Sequence, residues 1–215
     1  MNQLLITILL LFSICVDAQR VDKPVVLSHY VFNEFTKGLV KVKSGETYSQ
    51  TLNYNILTGE MIFYQDEKYM AIQKPENVDT VYIDGRKFIP ADNKFYELLA
   101  NTSAPLLVEY TYSVNEPGTS TGYGSTTRTT AASSFKSVIN TGGAYDLKLP
   151  DDFKVIPSYS YLIFKEGKYQ KANSAKQLYK IFPGKKNSID DLVKKNHTSF
   201  TKREDMVMLV KAIES

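Results

Sequence analysis

Cysteine is almost missing from this chain of 215 residues: Cys15 is the single one, and tryptophan does not occur at all. One thiol excludes internal disulfides, and its place in the N-terminal apolar run leaves the rest of the chain without thiol nucleophiles or cysteine-ligated zinc. Stability must then come from a packed core. Histidine is nearly as scarce, with only His29 and His197. Neither has a partner at ligand spacing, HExxH is absent, and both are expected at the surface, so no metal site is expected. No GxSxG elbow or SxxK pair frames any serine. Gly118, Gly122 and Gly124 are followed by no Lys-Ser/Thr, so they form no phosphate cradle. The carboxylate pairs Asp151-Asp152 and Asp190-Asp191 are sequence neighbours that point apart in a loop or serve a helix start. No catalytic residue and no cofactor is therefore expected.

The N-terminus reads as a targeting segment. Leu4 to Ile14 is a continuous run, apolar but for Thr7 and Ser13, too short for a mature membrane helix. Val16-Asp17-Ala18 supplies small residues where a signal peptidase reads, which places cleavage before Gln19. Cys15 leaves lipid attachment open as a rival reading. The expected location is the periplasm, the outer envelope or the outside of the cell. No later segment has the apolar length of a membrane span.

What is abundant is tyrosine and phenylalanine, fifteen and eleven residues, within 43% hydrophobic and 23% charged composition. These aromatics suit half-buried pleated surfaces. From Tyr48 to Pro90 the chain reads as strand after strand. Thr58-Gly59 lies between TLNYNIL and EMIFYQ, and Asp84-Gly85 between DTVYI and RKFIP, both hairpin signals. A two-residue turn at Thr58-Gly59 predicts Ile56 opposite Met61 and Tyr54 opposite Phe63. Tyr48, Leu52, Tyr54 and Ile56 then share an inward face on which Gln50 is the one polar member; Asn53 and Asn55 fall on the other. At Asp84-Gly85 the same rule pairs Val81 with Phe88 and Ile83 with Arg86, whose long side chain is expected to reach water.

Further strands are predicted at Leu39–Lys43, Tyr69–Gln73, Leu106–Val114 and Tyr159–Phe164, the last returning through Glu166-Gly167 to Tyr169. Phe95 to Ala100 fits a strand or a helical turn. Residues 115–134 are rich in Gly, Ser and Thr and are expected to stay flexible. After residue 170 the period turns helical. Ala175, Leu178 and Phe182 form one stripe, and Ile189, Leu192 and Val193 a second with Ser188 as the expected N-cap. Met206, Leu209, Val210 and Ile213 form a third, begun by a capping-box spacing at Thr201 and Glu204. The organisation expected is a signal peptide over 1–18, a leader over 19–36, a β-rich domain over 37–170 and a helical unit over 171–215. The fold class is α+β, mainly an antiparallel sheet, curled or sandwiched, with a small C-terminal three-helix unit.

LNYNILTGEMIF, VDTVYIDGRKFIP and LYKIFPGKKNSIDDLVKKN give the chain a resemblance to a group of secreted, uncharacterised proteins of Bacteroidota-type bacteria. The resemblance runs from about Phe35 onwards. It implies export to the envelope and brings no activity, cofactor or site residue.

Charge is uneven: Lys165 to Ser215 carries a net +6 and the remainder −3. Lys185, Lys186, Lys194 and Lys195 make a lysine-rich helical face that suits weak contact with an anionic surface, or plain solvation. Tyr123, a lone aromatic in the Gly/Ser/Thr loop, and Arg128 beside it are candidate partner contacts. Nucleic acid is not expected as a partner, since arginine clusters and reader motifs are missing. The leading reading is a non-enzymatic envelope protein that binds a protein or glycan partner. The alternatives are a carboxylate-dependent hydrolase of envelope polymers and a structural component of a secreted assembly.

Overall fold

The structure is a computed structural model that describes residues 29–115, 119–120, 126–127 and 154–215. The signal segment, Tyr123, Arg128 and Asp151-Asp152 lie outside them. The strands are β1 (Thr36–Val42), β2 (Thr47–Asn55), β3 (Glu60–Gln65), β4 (Lys68–Ala71), β5 (Val78–Ile83), β6 (Arg86–Ala91), β7 (Lys94–Ala100) and β8 (Leu106–Asn115). They continue with β9 (Thr119–Ser120), β10 (Thr126–Thr127), β11 (Lys154–Lys165) and β12 (Lys168–Lys171), and helices α1 (Ala175–Ile181), α2 (Lys186–Lys195) and α3 (Arg203–Glu214) follow. Ten strands form one antiparallel sheet in the order β12-β11-β8-β7-β6-β5-β1-β2-β3-β4, with the four-residue β12 and β4 at its edges. The two remaining strands, β9 and β10, pair with each other inside the Gly/Ser/Thr stretch. The fold is α+β and mainly β, as the pattern predicts.

Among the described residues, four hairpins turn through two residues of positive φ: Asp66-Glu67, Asp84-Gly85, Asp92-Asn93 and Glu166-Gly167. Such turns twist in the same sense as the strands they join. Register at Asp84-Gly85 is as expected, with Val81 opposite Phe88 and Ile83 opposite Arg86. At Thr58-Gly59 it differs. Tyr54 faces Met61 and Leu52 faces Phe63, so the loop holds four residues rather than two. Asn55 explains this: its backbone oxygen accepts from Gly59 N, and its side-chain oxygen accepts from Leu57 N at 2.9 Å. A shift of two residues keeps every side chain on its face. Leu52, Tyr54, Ile56 and Met61 are accordingly buried.

The opposite face of β2 is a correction to the pattern, because Asn53 and Asn55 are buried too. The backbone of His29 to Glu34 runs along β2, with Ile56 N donating to His29 O and Val31 N to Tyr54 O. Asn53 fastens that segment: it accepts from Phe32 N at 3.1 Å and donates to Phe32 O at 2.8 Å and Glu34 O at 3.2 Å. His29 is likewise buried, 3% exposed, where a surface position was expected; His197 is exposed. The last long strand begins earlier than the predicted Tyr159, and Pro157 stands within β11 opposite Tyr112.

The sheet curls without closing. Tyr54 on β2 stacks on Phe88 of β6 with ring centres 5.5 Å apart, and its hydroxyl donates to Phe95 O at 2.8 Å. Phe95 N in turn donates to Gly59 O. These contacts enclose a first core of Leu52, Tyr54, Met61, Val81, Ile83, Phe88 and Phe95. The helices cover the inner face of the other half of the sheet. Leu178, Ile189, Met206, Leu209, Val210 and Ile213 pack there on Leu106, Val108, Tyr161 and Ile163. Each of these buried side chains contributes roughly 1.5–3 kcal/mol.

Helix starts depart from the expected caps. α2 begins at Lys186 with Lys185 at its N-cap, not at Ser188, and α3 begins after Lys202, with no side-chain cap bond in either case. Asp205 turns instead to the preceding loop and accepts from Ser199 N at 2.8 Å. Helix ends use lysine: Lys165 donates to Ile181 O at 2.8 Å, and Lys185 donates to Ile213 O, which satisfies otherwise unpaired carbonyls.

Close strand approach at Gly38 yields a test. A Cβ there would stand 2.5 Å from Tyr82 O and 2.9 Å from Leu52 Cδ1. Gly38→Ala is expected to lower stability by about 1–3 kcal/mol in urea denaturation.

Candidate functional site

Two places in the described residues gather side chains of interest: a buried ionic cluster and an apolar hollow. The cluster lies between the two cores. β6 supplies Arg86, β7 supplies Glu97 and β8 supplies Tyr110, all on the inner face, while the first turn of α3 brings Arg203. Glu97 is 2% exposed. Arg86 grips it with two bonds, Nε to Oε1 at 2.9 Å and Nη2 to Oε2 at 2.6 Å. Arg203 Nη2 pairs with Oε1, and the Tyr110 hydroxyl donates to Oε2. Arg203 Nη1 also donates to the Tyr110 hydroxyl at 3.0 Å. The guanidinium of Arg86 lies over Phe32, 4.8 Å from the ring centre. Expected to reach water, Arg86 turns inward instead, because a buried carboxylate awaits it.

Burial alone would push the Glu97 carboxyl up, but hydrogen bonds from Arg86, Tyr110 and Arg203 win and hold it below its usual 4.5. The Tyr110 phenol is pushed up to about 12 by burial and by Glu97. Burial pulls Arg203 down, yet its bonds to Tyr110 and Glu97 leave it raised. All four groups are consumed by one another. The cluster can hold α3 on the sheet; it has no group left poised to give or take a proton near neutrality. Glu109, the next carboxylate along, sits one residue from Tyr110 on a strand and so projects from the opposite face.

The hollow is the open mouth of the curled sheet. Its space of about 340 Å³ is bounded by Val40 and Val42 of β1, Tyr48, Gln50 and Leu52 of β2, and Phe63 of β3. Ile72, Gln73, Lys74, Asn77 and Val78 complete the wall around the 3-10 turn Pro75–Asn77. The inner face of β2 records the transition from core to mouth: Leu52 is 0% exposed, Gln50 intermediate and Tyr48 50% exposed. Mouths of curled and barrel-like sheets are common ligand sites, and this volume lies within the range of about 300–1,000 Å³ typical of them. The alternation that put Tyr48, Gln50 and Leu52 on one face was legible in the chain, but not that the face runs out of cover at Tyr48.

Residues singled out from sequence sit elsewhere. Lys185 is bound to the end of α3, Lys186 lies 5.7 Å from the Tyr179 ring, and Lys194 and Lys195 occupy the last turn of α2. None of the four lines the mouth. Asp190 of the second carboxylate pair accepts from the Tyr179 hydroxyl. Among the described residues no helix is long and apolar enough to cross a membrane.

Two pH-dependent outcomes follow from buried titratable groups. Glu97 is held below its unfolded value, so its contribution is complete above about pH 4.5 and is lost as pH falls through its folded value. Glu97→Gln is expected to cost about 3 kcal/mol at pH 7, measured by denaturation, with the gap to the native chain narrowing below pH 4.5. Burial pushes the His29 imidazole down to about 4 from 6.5, and its Nε2 has no partner among the described residues. Stability is therefore expected to fall as pH drops from 6.5 towards 4, and His29→Phe should remove that slope in thermal unfolding across the same window.

Comparison with protein-family models, with curated proteins and with solved structures finds no match to this chain.

Proposed function

We propose that this chain is an exported, non-enzymatic protein of the cell envelope that binds a protein or glycan partner, and that it does so by receiving an apolar group of that partner in the mouth of the curled sheet. The observation that carries the reading is the hollow floored by buried Val40, Leu52 and Val78 and edged by part-exposed Val42, Phe63 and Ile72, beside a half-exposed Tyr48. Apolar surface that is concave and ringed by a few polar side chains favours docking, since covering it releases water from both partners. Catalysis would instead call for ionisable groups free to act, and Glu97, Arg86, Tyr110 and Arg203 are tied to one another. Export rests on the apolar run from Leu4 to Ile14 and the small residues before Gln19.

A photo-reactive phenylalanine analogue in place of Tyr48 tests this in the native envelope. The expected result is one discrete crosslinked adduct, and none from the same analogue at Leu39, which is exposed on the opposite face of β1. Equal adducts from both positions, or turnover of envelope glycans, peptides or esters by the purified chain, would overturn the proposal.

A further inference from the structure

We infer that the group received by the mouth is an aliphatic acyl chain with an anionic head, the head paired with Lys74; the inference rests on the mouth being the docking site. The inner wall is branched and aliphatic, from Val40, Val42, Leu52, Ile72 and Val78, with Phe63 the one aromatic in it below the rim. Such a wall fits a flexible methylene chain, whereas a flat aromatic ring or a sugar is ordinarily met by stacked faces and a dense set of hydrogen bonds.

The rim is partly polar. Gln50, Gln73 and Asn77 bring amides, and Lys74 is the single charged residue among those lining the space. The three ion pairs among the described residues, Lys41 with Asp79 and Glu97 with Arg86 and Arg203, do not involve Lys74. Its place is fixed by the backbone: Lys74 stands at the N-cap of the 3-10 turn, directly before Pro75, and Asn77 N donates back to Lys74 O at 3.0 Å. A lysine ammonium held beside an apolar wall recognises a point anion at the end of an apolar body. One such ion pair at the rim ranks an anionic amphiphile above a neutral one of equal length.

The native chain has no tryptophan, so Tyr48→Trp places one reporter at the rim. Titrated below micelle-forming concentrations, decanoate is expected to shift its emission to the blue with saturation. Octanoate, two methylenes shorter, should bind roughly tenfold more weakly. Decanol should bind roughly tenfold more weakly than decanoate, and decyltrimethylammonium more weakly still. Adding Lys74→Glu, an exposed change whose folding is checked by circular dichroism, should weaken decanoate at least tenfold and leave decanol unchanged. Equal binding of decanoate and decanol, or indifference to Lys74→Glu, would overturn the assignment of an anionic head. Failure of every amphiphile while the crosslink at position 48 still forms would overturn the acyl chain and leave the docking site standing; failure of both would remove the site as well. A reporter already blue-shifted without ligand, in a chain that sediments as a dimer, would also overturn the inference, the mouth then being covered by a second copy.

Discussion

A carboxylate taken out of water inside a protein has to be neutralised where it sits, and the arrangement of this molecule follows from how Glu97 is treated. Its two oxygens receive Arg86 from the neighbouring strand, Tyr110 from the strand on the other side and Arg203 from a helix 106 residues further along the chain. Desolvation of the acid works against the fold, and only a full set of donors reverses its sign. The aromatic rings of Phe32, Phe88 and Tyr110 around Arg86 make the arrangement drier and therefore stronger. Because the donors come from sheet and helix alike, the last helix has one favourable seat. Tyr110 touches both hydrophobic clusters and joins them physically.

The curl of the sheet has two ends with different fates. At one, the segment from His29 to Phe32, the loop at Thr58-Gly59 and the Tyr54 hydroxyl fill the space between facing strands. At the other, nothing among the described residues fills the space between Val42, Tyr48 and Ile72. A core that is dry at Leu52 becomes a wetted surface two pleats along at Tyr48, on a single strand. The hollow is thus the same apolar face that builds the fold, carried past the point where the fold covers it.

Much of this was legible in the chain and some was not, for identifiable reasons. The inward set of Leu52, Tyr54, Ile56 and Met61, the hairpin at Asp84-Gly85 and the stripe Met206, Leu209, Val210, Ile213 follow from period and turn chemistry. Asp66-Glu67 and Asp92-Asn93 turn the same way without glycine, and so carry no comparable signal. Asn53 and Asn55 read as solvent-facing because alternation assumes one buried face; a backbone segment some 20 residues upstream supplies partners that no local pattern records. Arg86 and His29 went the same way. Ser188 and Thr201 matched capping preferences, but α2 starts two residues before Ser188 and α3 after Lys202, neither with a side-chain cap bond, and Asp205 is spent on Ser199 N in the loop. The mouth was hidden for a different cause: whether an apolar face is covered depends on strand order, which single-chain periodicity does not contain.

The short edges of the sheet have a meaning for life at high local concentration. β4 and β12 are each only four residues long, with Lys68, Lys168 and Lys171 at their ends, and β11 runs on past β12 from Tyr161 back to Lys154. A neighbouring copy trying to extend the ladder would gain few hydrogen bonds while bringing ammonium groups together. Growth of the ten-stranded sheet by addition of a strand at β4 or β12 is thereby disfavoured.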